Sequence, residues 1–298
     1  MSPDQRFGFM SGLGAYFMWG LLPLYLKLLD HIAPTDILAH RVVWSVPTGA
    51  LLLIVAGRFH EIFAMLRRPS TLWLVLSSAL IAGNWLTYIW AVTNDRIIEA
   101  SLGYFLNPLV NVAIGAVFLS EKLRRLQWFA VSIAAIAVIV ETIALGRLPW
   151  VSLILCFSFA TYGYIRRQVQ VDGRVGLTLE VLFLLPVALI WLAIVAQQGG
   201  SLIGGSIPNL LMLMLAGPAT AFPLILFALA AKRLKFSTIG IMQYLGPTMQ
   251  FLLALAFGET LTSLRLVTFS LILVAVILFS LDAYGHDRHL RRSALRPT

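Results

Sequence analysis

The sequence contains little charge and almost no cysteine. Only 12% of its 298 residues are charged and 59% are hydrophobic, whereas a typical soluble domain has about 25% charged residues. A soluble domain cannot bury so large an apolar fraction, so we infer that a lipid bilayer surrounds much of the chain. The single cysteine, Cys156, excludes an internal disulfide, a cysteine-based zinc cluster and a CxxC redox pair.

The sequence also lacks the usual signatures of an enzyme. It contains no Walker loop, no compact set of paired carboxylates and no histidine-rich cluster outside a basic C-terminal tail. We therefore predict that the protein is not an enzyme, needs no cofactor and holds no metal. An integral-membrane enzyme and a passive channel are the alternatives to a transporter.

Apolar windows of the length that crosses a bilayer, about 20 residues, recur along the chain. This pattern predicts an all-α integral membrane protein with ten transmembrane helices. The windows begin near Phe7, Asp36, Thr71, Ile97, Leu126, Pro149, Leu177, Asn209, Phe236 and Thr262.

The basic residues concentrate on one side of this predicted topology. Of the 22 lysines and arginines, 17 fall in the termini and loops of one side, four fall on the other, and Arg41 lies within a helix. Such a bias marks the cytoplasmic side of a membrane protein. It predicts that both termini are cytoplasmic, and it explains the net positive charge by contact with membrane lipid, without a nucleic-acid partner.

An internal repeat divides the chain. The segment 104–123, YFLNPLVNVAIGAVFLSEKL, matches the segment 243–261, QYLGPTMQFLLALAFGETL, with Pro108 over Pro247. Each repeat contains five predicted helices. Because five is odd, the second repeat must enter the membrane upside down relative to the first.

The predicted units are therefore two inverted five-helix repeats, residues 1–145 and 146–285, followed by a basic cytoplasmic tail, residues 286–298. Two inverted units have two nearly equivalent arrangements, one open to each face of the membrane. This architecture predicts a transporter that works by alternating access, with a small-molecule substrate as its partner. The sequence assigns no oligomeric state.

Charged side chains within the apolar windows are candidates for gating contacts. A charge at a helix centre costs about 2.5–3.5 kcal/mol on insertion scales. Arg41 and Glu99 lie near the same surface, so we expect them to pair; the alternative is that each extends separately to the interface. Glu180 and Lys235 form a second expected pair near the opposite surface. His40 is a candidate for proton coupling, and its alternative is a structural hydrogen-bonding role.

Polar and aromatic side chains surround the two aligned prolines. Amides and aromatic rings suit an amphipathic small molecule. The alternative is hydrogen bonding between helices, which asparagine and glutamine commonly provide in membranes. The candidate substrate-binding residues are Tyr16, Trp19, Asn84, Tyr88, Tyr104, Asn107, Asn111, Tyr162, Gln243, Tyr244 and Gln250.

Several motifs of the chain have the character of a family signature. They include MWGLLPLYLKLL at 18–29, GNWLTYIWAV at 83–92, EASLGYFLNPLV at 99–110 and SFATYGYIRR at 158–167. Together they resemble the RarD family, a branch of the EamA-type permeases in the drug/metabolite transporter superfamily, and the resemblance covers nearly the whole chain. It implies ten helices in a bacterial-type inner (plasma) membrane and a multi-pass permease that exports small metabolites or drugs.

Overall fold

The computed structural model describes residues 3–118, 123–169, 171–234 and 236–294, and these residues form helices and their connections without any strand. There are twelve helices in this part of the chain. They are α1 (Pro3–Lys27), α2 (Pro34–Val55), α3 (His60–Leu66), α4 (Thr71–Thr93), α5 (Ile97–Phe118), α6 (Arg125–Leu145), α7 (Trp150–Gln168), α8 (Gly173–Gln197), α9 (Ile207–Ala231), α10 (Phe236–Met242), α11 (Leu245–Ala256) and α12 (Ser263–Ala294).

Nine helical segments of the described chain are long and apolar enough to cross a membrane. One of them, Thr238–Ala256, combines α10 and α11. The first residue of each of the ten predicted windows lies within four residues of the first residue of a helix in the structure. The window near Pro149 corresponds to α7, which is not among the nine because serines and the basic pair Arg166 and Arg167 lower its hydropathy. The protein is therefore an all-helical, multi-pass membrane protein.

Local sequence signals set several helix boundaries. Pro34 opens α2, where its missing N–H costs nothing. The Asp172 carboxylate accepts a hydrogen bond from the Arg174 main-chain N–H at 2.9 Å and caps α8, and the Ser206 hydroxyl caps α9 in the same way. Gly146 ends α6 in a left-handed conformation, with φ of 65°.

The outer surface of the bundle is strongly apolar. Large aliphatic side chains such as Val55, Leu72, Val117 and Ile207 are exposed. A soluble protein rarely leaves so many unpaired apolar groups on its surface, whereas a bilayer solvates them.

The segment that carries Pro247 is broken into two helices. α10 ends at Met242 and α11 begins at Leu245. Pro247 has no N–H to donate to the Gln243 carbonyl four residues earlier, so the helical ladder loses a bond at this point. The equivalent Pro108 leaves α5 continuous. Of the two aligned proline-containing segments, only the second is interrupted.

The most extensive helix packing joins the first half of the chain to the second. The pairs are α6 with α12, α2 with α8 and α9, α5 with α7 and α11, α1 with α9 and α11, and α4 with α7 and α8. Gly217 allows the closest approach, because a Cβ there would overlap the Trp44 carbonyl oxygen and force α2 and α9 apart. The two halves therefore interdigitate.

Contacts between helix ends fall into two groups, one at each end of the bundle. We name the first the Lys27 face: it holds the end of α1, the start of α2, the end of α4 and the start of α9. Its contacts are Lys27 with Asp95 at 2.5 Å, Trp191 Nε1 with Asp36 at 2.8 Å and Asn209 with His31 at 2.8 Å.

The second group lies at the opposite helix ends, and we name it the Asp172 face. It holds the starts of α1, α6 and α8, the ends of α2 and α9, and the part of α12 around Asp282. Its contacts are Arg233 with Asp4 at 2.9 Å, Arg58 with Asp172, and Arg124 Nε with Asp282 at 2.7 Å. The helix α12 extends to Ala294, so the backbone of the predicted basic tail, 286–298, is helical up to that residue.

Candidate functional site

Arg41 is the most distinctive charged residue in the interior. It lies on α2, and only 9% of its surface is exposed. Its Nε donates a hydrogen bond to the Thr220 hydroxyl on α9 at 2.9 Å. The guanidinium carbon lies 4.2 Å from the centroid of the Trp85 ring on α4, a cation–π contact. Within the described residues no carboxylate lies at ion-pair distance from Arg41.

Three phenol groups lie near this guanidinium and interact with it electrostatically: those of Tyr25, Tyr88 and Tyr104. The Tyr25 hydroxyl donates to the Met212 carbonyl at 2.8 Å. The Tyr88 and Tyr104 rings pack edge to face, with centroids 5.6 Å apart. The Tyr88 hydroxyl is buried and has no hydrogen-bond partner, so one polar group beside Arg41 is unsatisfied.

A small cavity adjoins Arg41, between α1, α2 and α9. Its volume is about 10 Å³, which is space for roughly one water molecule. We name it the Arg41 cavity; it is lined by Leu22, Tyr25, Leu26, Ile37, Arg41, Ala216, Ala219 and Thr220. Its polar groups are the guanidinium, one phenol and one hydroxyl, set in an apolar wall.

Asn84 lies deeper in the bundle and bridges three helices. From α4 its amide nitrogen donates to the Leu155 carbonyl at 3.0 Å and to the Ser158 hydroxyl at 2.9 Å, both on α7. Its amide oxygen accepts from the Tyr104 hydroxyl at 3.4 Å. These bonds join α4, α5 and α7, and they orient the Tyr104 ring toward the Arg41 side.

The remaining substrate candidates on α5 separate. Asn107 is buried, and its side-chain oxygen has no hydrogen-bond partner. Asn111 is exposed, although the i, i+3, i+7 spacing placed it on the same face as Tyr104 and Asn107. The three residues therefore share one face of α5, but the end of that face that carries Asn111 is not covered by neighbouring helices.

A second aromatic group lies between α1 and α9. The Tyr16 ring lies 5.4 Å from Trp19 and 6.1 Å from Phe227, measured between centroids. The Gln250 side-chain nitrogen donates to the Trp19 carbonyl at 3.1 Å, whereas its oxygen has no partner. Gln250 thus ties α11 to α1 beside this aromatic group.

The last two candidates lie at the break between α10 and α11. Gln243 is half-buried there. The Tyr244 ring stacks on Phe105 of α5, with centroids 6.2 Å apart and planes inclined by 17°. The Tyr244 hydroxyl is buried without a partner. Pro247 removes a helical bond at this site, and the Ser101 hydroxyl donates to the Pro247 carbonyl at 2.9 Å.

Glu180 is surrounded by three polar residues of the described chain. Its carboxylate, which is fully buried, accepts from the Ser77 hydroxyl at 2.6 Å and from the Tyr162 hydroxyl at 3.2 Å. The Arg166 guanidinium lies 3.7 Å away. The expected partner, Lys235, lies outside the described residues. Tyr162 thus belongs to a carboxylate site and is not an isolated wall of a substrate pocket.

The expected pair of Arg41 with Glu99 is wrong. Glu99 Oε1 lies 2.7 Å from an Arg147 nitrogen, 3.6 Å from Arg96 and 4.0 Å from Arg265. Arg41 instead contacts Thr220 and Trp85. The start of α5 faces the α6–α7 connection and the start of α12, which supply Arg147 and Arg265, while Arg96 directly precedes α5.

His40 is buried beside Arg41, and its Nδ1 has no hydrogen-bond partner. Asp36 and the Leu202 main chain lie close to the ring. The structure therefore places it near the Lys27 face, on the side of α2 that contacts the α8–α9 connection.

Two carboxylates outside the membrane-spanning segments have pKa values that are shifted in opposite directions. Burial raises the pKa of Glu259, although its two oxygens accept the Ile97 and Ile98 main-chain N–H groups at 2.6 and 2.9 Å and so cap α5. Burial alone would also raise the pKa of Asp172, but the hydrogen bonds from Arg174 and the charges of Arg174 and Arg58 outweigh it, and that pKa is lowered.

Sequence reasoning missed several members of these two sites. Tyr25 and Thr220 contribute to the Arg41 cavity, and Ser77 and Arg166 surround Glu180. Arg166 was one of several basic residues assigned to a loop, and nothing in the sequence distinguished it as the one whose side chain enters the interior. Thr220 lies between two prolines of the apolar helix α9. Its polar side chain in this apolar segment was the only feature of the sequence that could have indicated a functional role.

Relatives of this chain show the same length and a common name. It is 45% identical to "Protein RarD" of Salmonella typhi over 288 residues, which is 96% of this chain and 98% of that protein. It is 43% identical to "Protein RarD" of Escherichia coli, with 96% and 97% covered. The chain belongs to the RarD family of EamA-type permeases. The model of the EamA-like transporter family matches residues 6–142.

More distant relatives agree with this assignment to the RarD family. "Chloramphenicol-sensitive protein RarD" of Pseudomonas aeruginosa is 33% identical, with 97% of each chain covered. A relative in Vibrio cholerae, 42% identical over 98% of this chain, is named a transporter. A crystal structure at 19% identity covers 91% of this chain and 96% of its own, with a TM-score of 0.59. That likeness concerns the fold alone.

Proposed function

We propose that this RarD-family protein is a secondary-type permease of the inner membrane that exports small metabolites or drug-like molecules by alternating access. Ten crossing segments form two inverted five-helix units, with α10 and α11 together as the ninth crossing. The protein is not an enzyme. Both termini are cytoplasmic, because 17 of the 22 basic residues then fall on the cytoplasmic side.

The symmetry of the helix packing supports the inverted repeat. The repeat makes α1, α2, α4, α5 and α6 equivalent to α7, α8, α9, α10–α11 and α12. Exchanging the two halves turns the α1–α9 packing into α7–α4, the α5–α7 packing into α11–α1, and the α2–α9 packing into α8–α4, all of which are observed. The pairs α2–α8, α5–α11 and α6–α12 exchange with themselves.

The positions of the interior polar groups support transport between the two halves. At the first site Arg41 and Trp85 come from the first half and Thr220 from the second. At the other site Ser77 comes from the first half and Glu180 from the second. A movement of one half against the other would open or close both sites, as alternating access requires. Of these observations, the one that carries the proposal is Arg41, which lies buried at the boundary of the halves and has no carboxylate partner among the described residues.

Counterflow in proteoliposomes tests this function. Proteoliposomes that contain the purified protein are loaded with unlabelled chloramphenicol or with mixed metabolites, and the labelled compound is then added outside. Chloramphenicol is chosen because a relative is named for sensitivity to it. A carrier produces transient accumulation above equilibrium. Equilibration without such an overshoot would indicate a passive channel, and chemical conversion of the label would indicate an enzyme.

The orientation has its own test. Single cysteines at residues 2 and 298, in a chain with Cys156 replaced by serine, are labelled with a membrane-impermeant maleimide in intact and in opened cells. We expect both positions to react only after the cells are opened. Labelling of one terminus in intact cells would overturn the ten-crossing topology.

A further inference from the structure

Arg41 is a buried charge without a countercharge in the described part of the chain. Three buried or half-buried carboxylates of the described chain have other partners: Glu99 contacts Arg147, Glu180 contacts Ser77 and Tyr162, and Asp36 contacts Trp191. Removing a guanidinium from water costs several kcal/mol unless it is paired. The Trp85 ring and one hydrogen bond to Thr220 offset only part of this cost.

The donors of this guanidinium are not used up. Arginine has five N–H donors in a planar fork that matches a carboxylate with two parallel hydrogen bonds. The described hydrogen bond of Arg41 uses Nε alone. No described hydrogen bond uses its two terminal nitrogens, and Arg41 is one of the residues that line the Arg41 cavity.

A second donor is unsatisfied beside the same guanidinium. The Tyr88 hydroxyl is buried without a partner, in a ring that is only 2% exposed. Tyr25 and Tyr104, the other two phenols near Arg41, already donate to Met212 and Asn84. A buried hydroxyl without a partner is costly, so the geometry indicates an acceptor that is not part of this chain.

We propose that Arg41 and Tyr88 bind the carboxylate of the transported molecule, and that the substrates are small organic acids with an apolar or aromatic body. The inference rests on the proposed permease function. The carboxylate lies against the arginine fork, and the apolar body contacts the Leu22, Ile37 and Ala216 side of the Arg41 cavity. Because the cavity has space for about one water molecule, α1, α2 and α9 must separate when the acid enters.

Calorimetric titration of the full-length protein in lipid nanodiscs tests the proposal. The probes are benzoate and hexanoate, their uncharged analogues benzamide and hexanamide, and sodium chloride and phosphate, all at one ionic strength. We expect at least one organic acid to bind saturably, about tenfold or more tightly than its amide, since a hydrogen bond to a charged group is involved. Binding of acid and amide with equal affinity would overturn the proposal.

Two variants assign the binding to this site. Arg41→Lys keeps the charge but removes the fork, and Tyr88→Phe removes only the hydroxyl; each should weaken acid binding about tenfold. Arg67→Lys makes the same exchange at an exposed arginine and should change nothing. If Arg41→Lys fails to fold, Tyr88→Phe decides alone. Wild-type affinity in the folded variants, or no binding by either acid, would refute the assignment.

The inorganic anions separate two sources of negative charge. If chloride or phosphate binds at Arg41 and the organic acids do not, the site takes a small inorganic ion and the proposed substrate class is wrong. Counterflow distinguishes this failure from a failure of the permease function. Overshoot of a neutral compound without acid binding refutes only the carboxylate site, whereas acid binding without any counterflow refutes only the permease.

Discussion

The buried pair of Glu180 and Arg166 makes an asymmetric prediction. The Glu180 carboxylate is fully buried, while the Arg166 side chain is 15% exposed. Replacing Arg166 with glutamine leaves a carboxylate in the interior with only the Ser77 and Tyr162 hydroxyls as donors. Replacing Glu180 with glutamine leaves an arginine whose side chain is less buried than the carboxylate, although its Nη1 is buried as well. The first change should therefore cost more.

The structure also sets the size of the effect. Breaking a buried ion pair costs about 3–5 kcal/mol when the other charge is left in the interior. The 3.7 Å separation and the partial exposure of Arg166 place this pair at the lower end, so we expect about 3 kcal/mol for Arg166→Gln and about 1 kcal/mol for Glu180→Gln. At roughly 2 °C per kcal/mol for a chain of this length, Tm should fall by about 6 and 2 °C.

Thermal unfolding of the detergent-solubilised protein, followed by intrinsic fluorescence, measures these differences. The double variant should be nearly as stable as Glu180→Gln alone, since no carboxylate is then stranded in the interior, and this gives a coupling energy of about 3 kcal/mol. Arg67→Gln, at an exposed position, is the control. Equal losses in Arg166→Gln and Arg67→Gln, or simple additivity in the double variant, would refute the reasoning.

Three further predictions concern other contacts. Gly217→Ala should lower Tm, because the added Cβ overlaps the Trp44 carbonyl and overpacking costs about 1–3 kcal/mol; an unchanged or higher Tm would show that α2 and α9 do not approach so closely. Glu259→Ala should cost about 1.5–3 kcal/mol and speed hydrogen exchange in the first turn of α5, whose N–H groups it strands; unchanged exchange there would contradict the cap. The pKa of Asp172 is lowered in the folded protein, so the ionised carboxylate stabilises the fold above the unfolded pKa of about 3.9, and this stabilisation is lost as pH falls through the lower folded pKa. Below about pH 4, Tm should therefore drop more steeply in the wild type than in Asp172→Asn. Parallel curves of Tm against pH would exclude this contribution.

The contacts of the charged residues show where sequence reasoning stopped. The depth of Arg41 and Glu99 along their helices was predictable, because each residue adds 1.5 Å of rise. The rotation of each helix about its axis was not, and this rotation decides which neighbour a side chain meets. Glu99 consequently meets Arg147, and Arg41 meets Thr220 across the two halves.

The polar residues predicted to bind substrate on the two aligned helices do not all lie in the interior, for a related reason. Residues on one helical face share a direction, but the neighbouring helix covers only part of that face. Tyr104 and Asn107 lie in the covered part, whereas Asn111 is exposed. Pro247 interrupts its helix and Pro108 does not, although the two prolines align in sequence.

The sequence by itself determined that the chain is a helical, multi-pass membrane protein, because an apolar run must satisfy its own backbone hydrogen bonds in lipid. Only the tertiary structure decided which charges pair and which buried donors lack a partner. The contacts of Arg41 with Thr220 and of Ser77 with Glu180 join residues more than a hundred positions apart. Such contacts depend on how the helices pack, for example on the close approach of Gly217 to a neighbouring backbone.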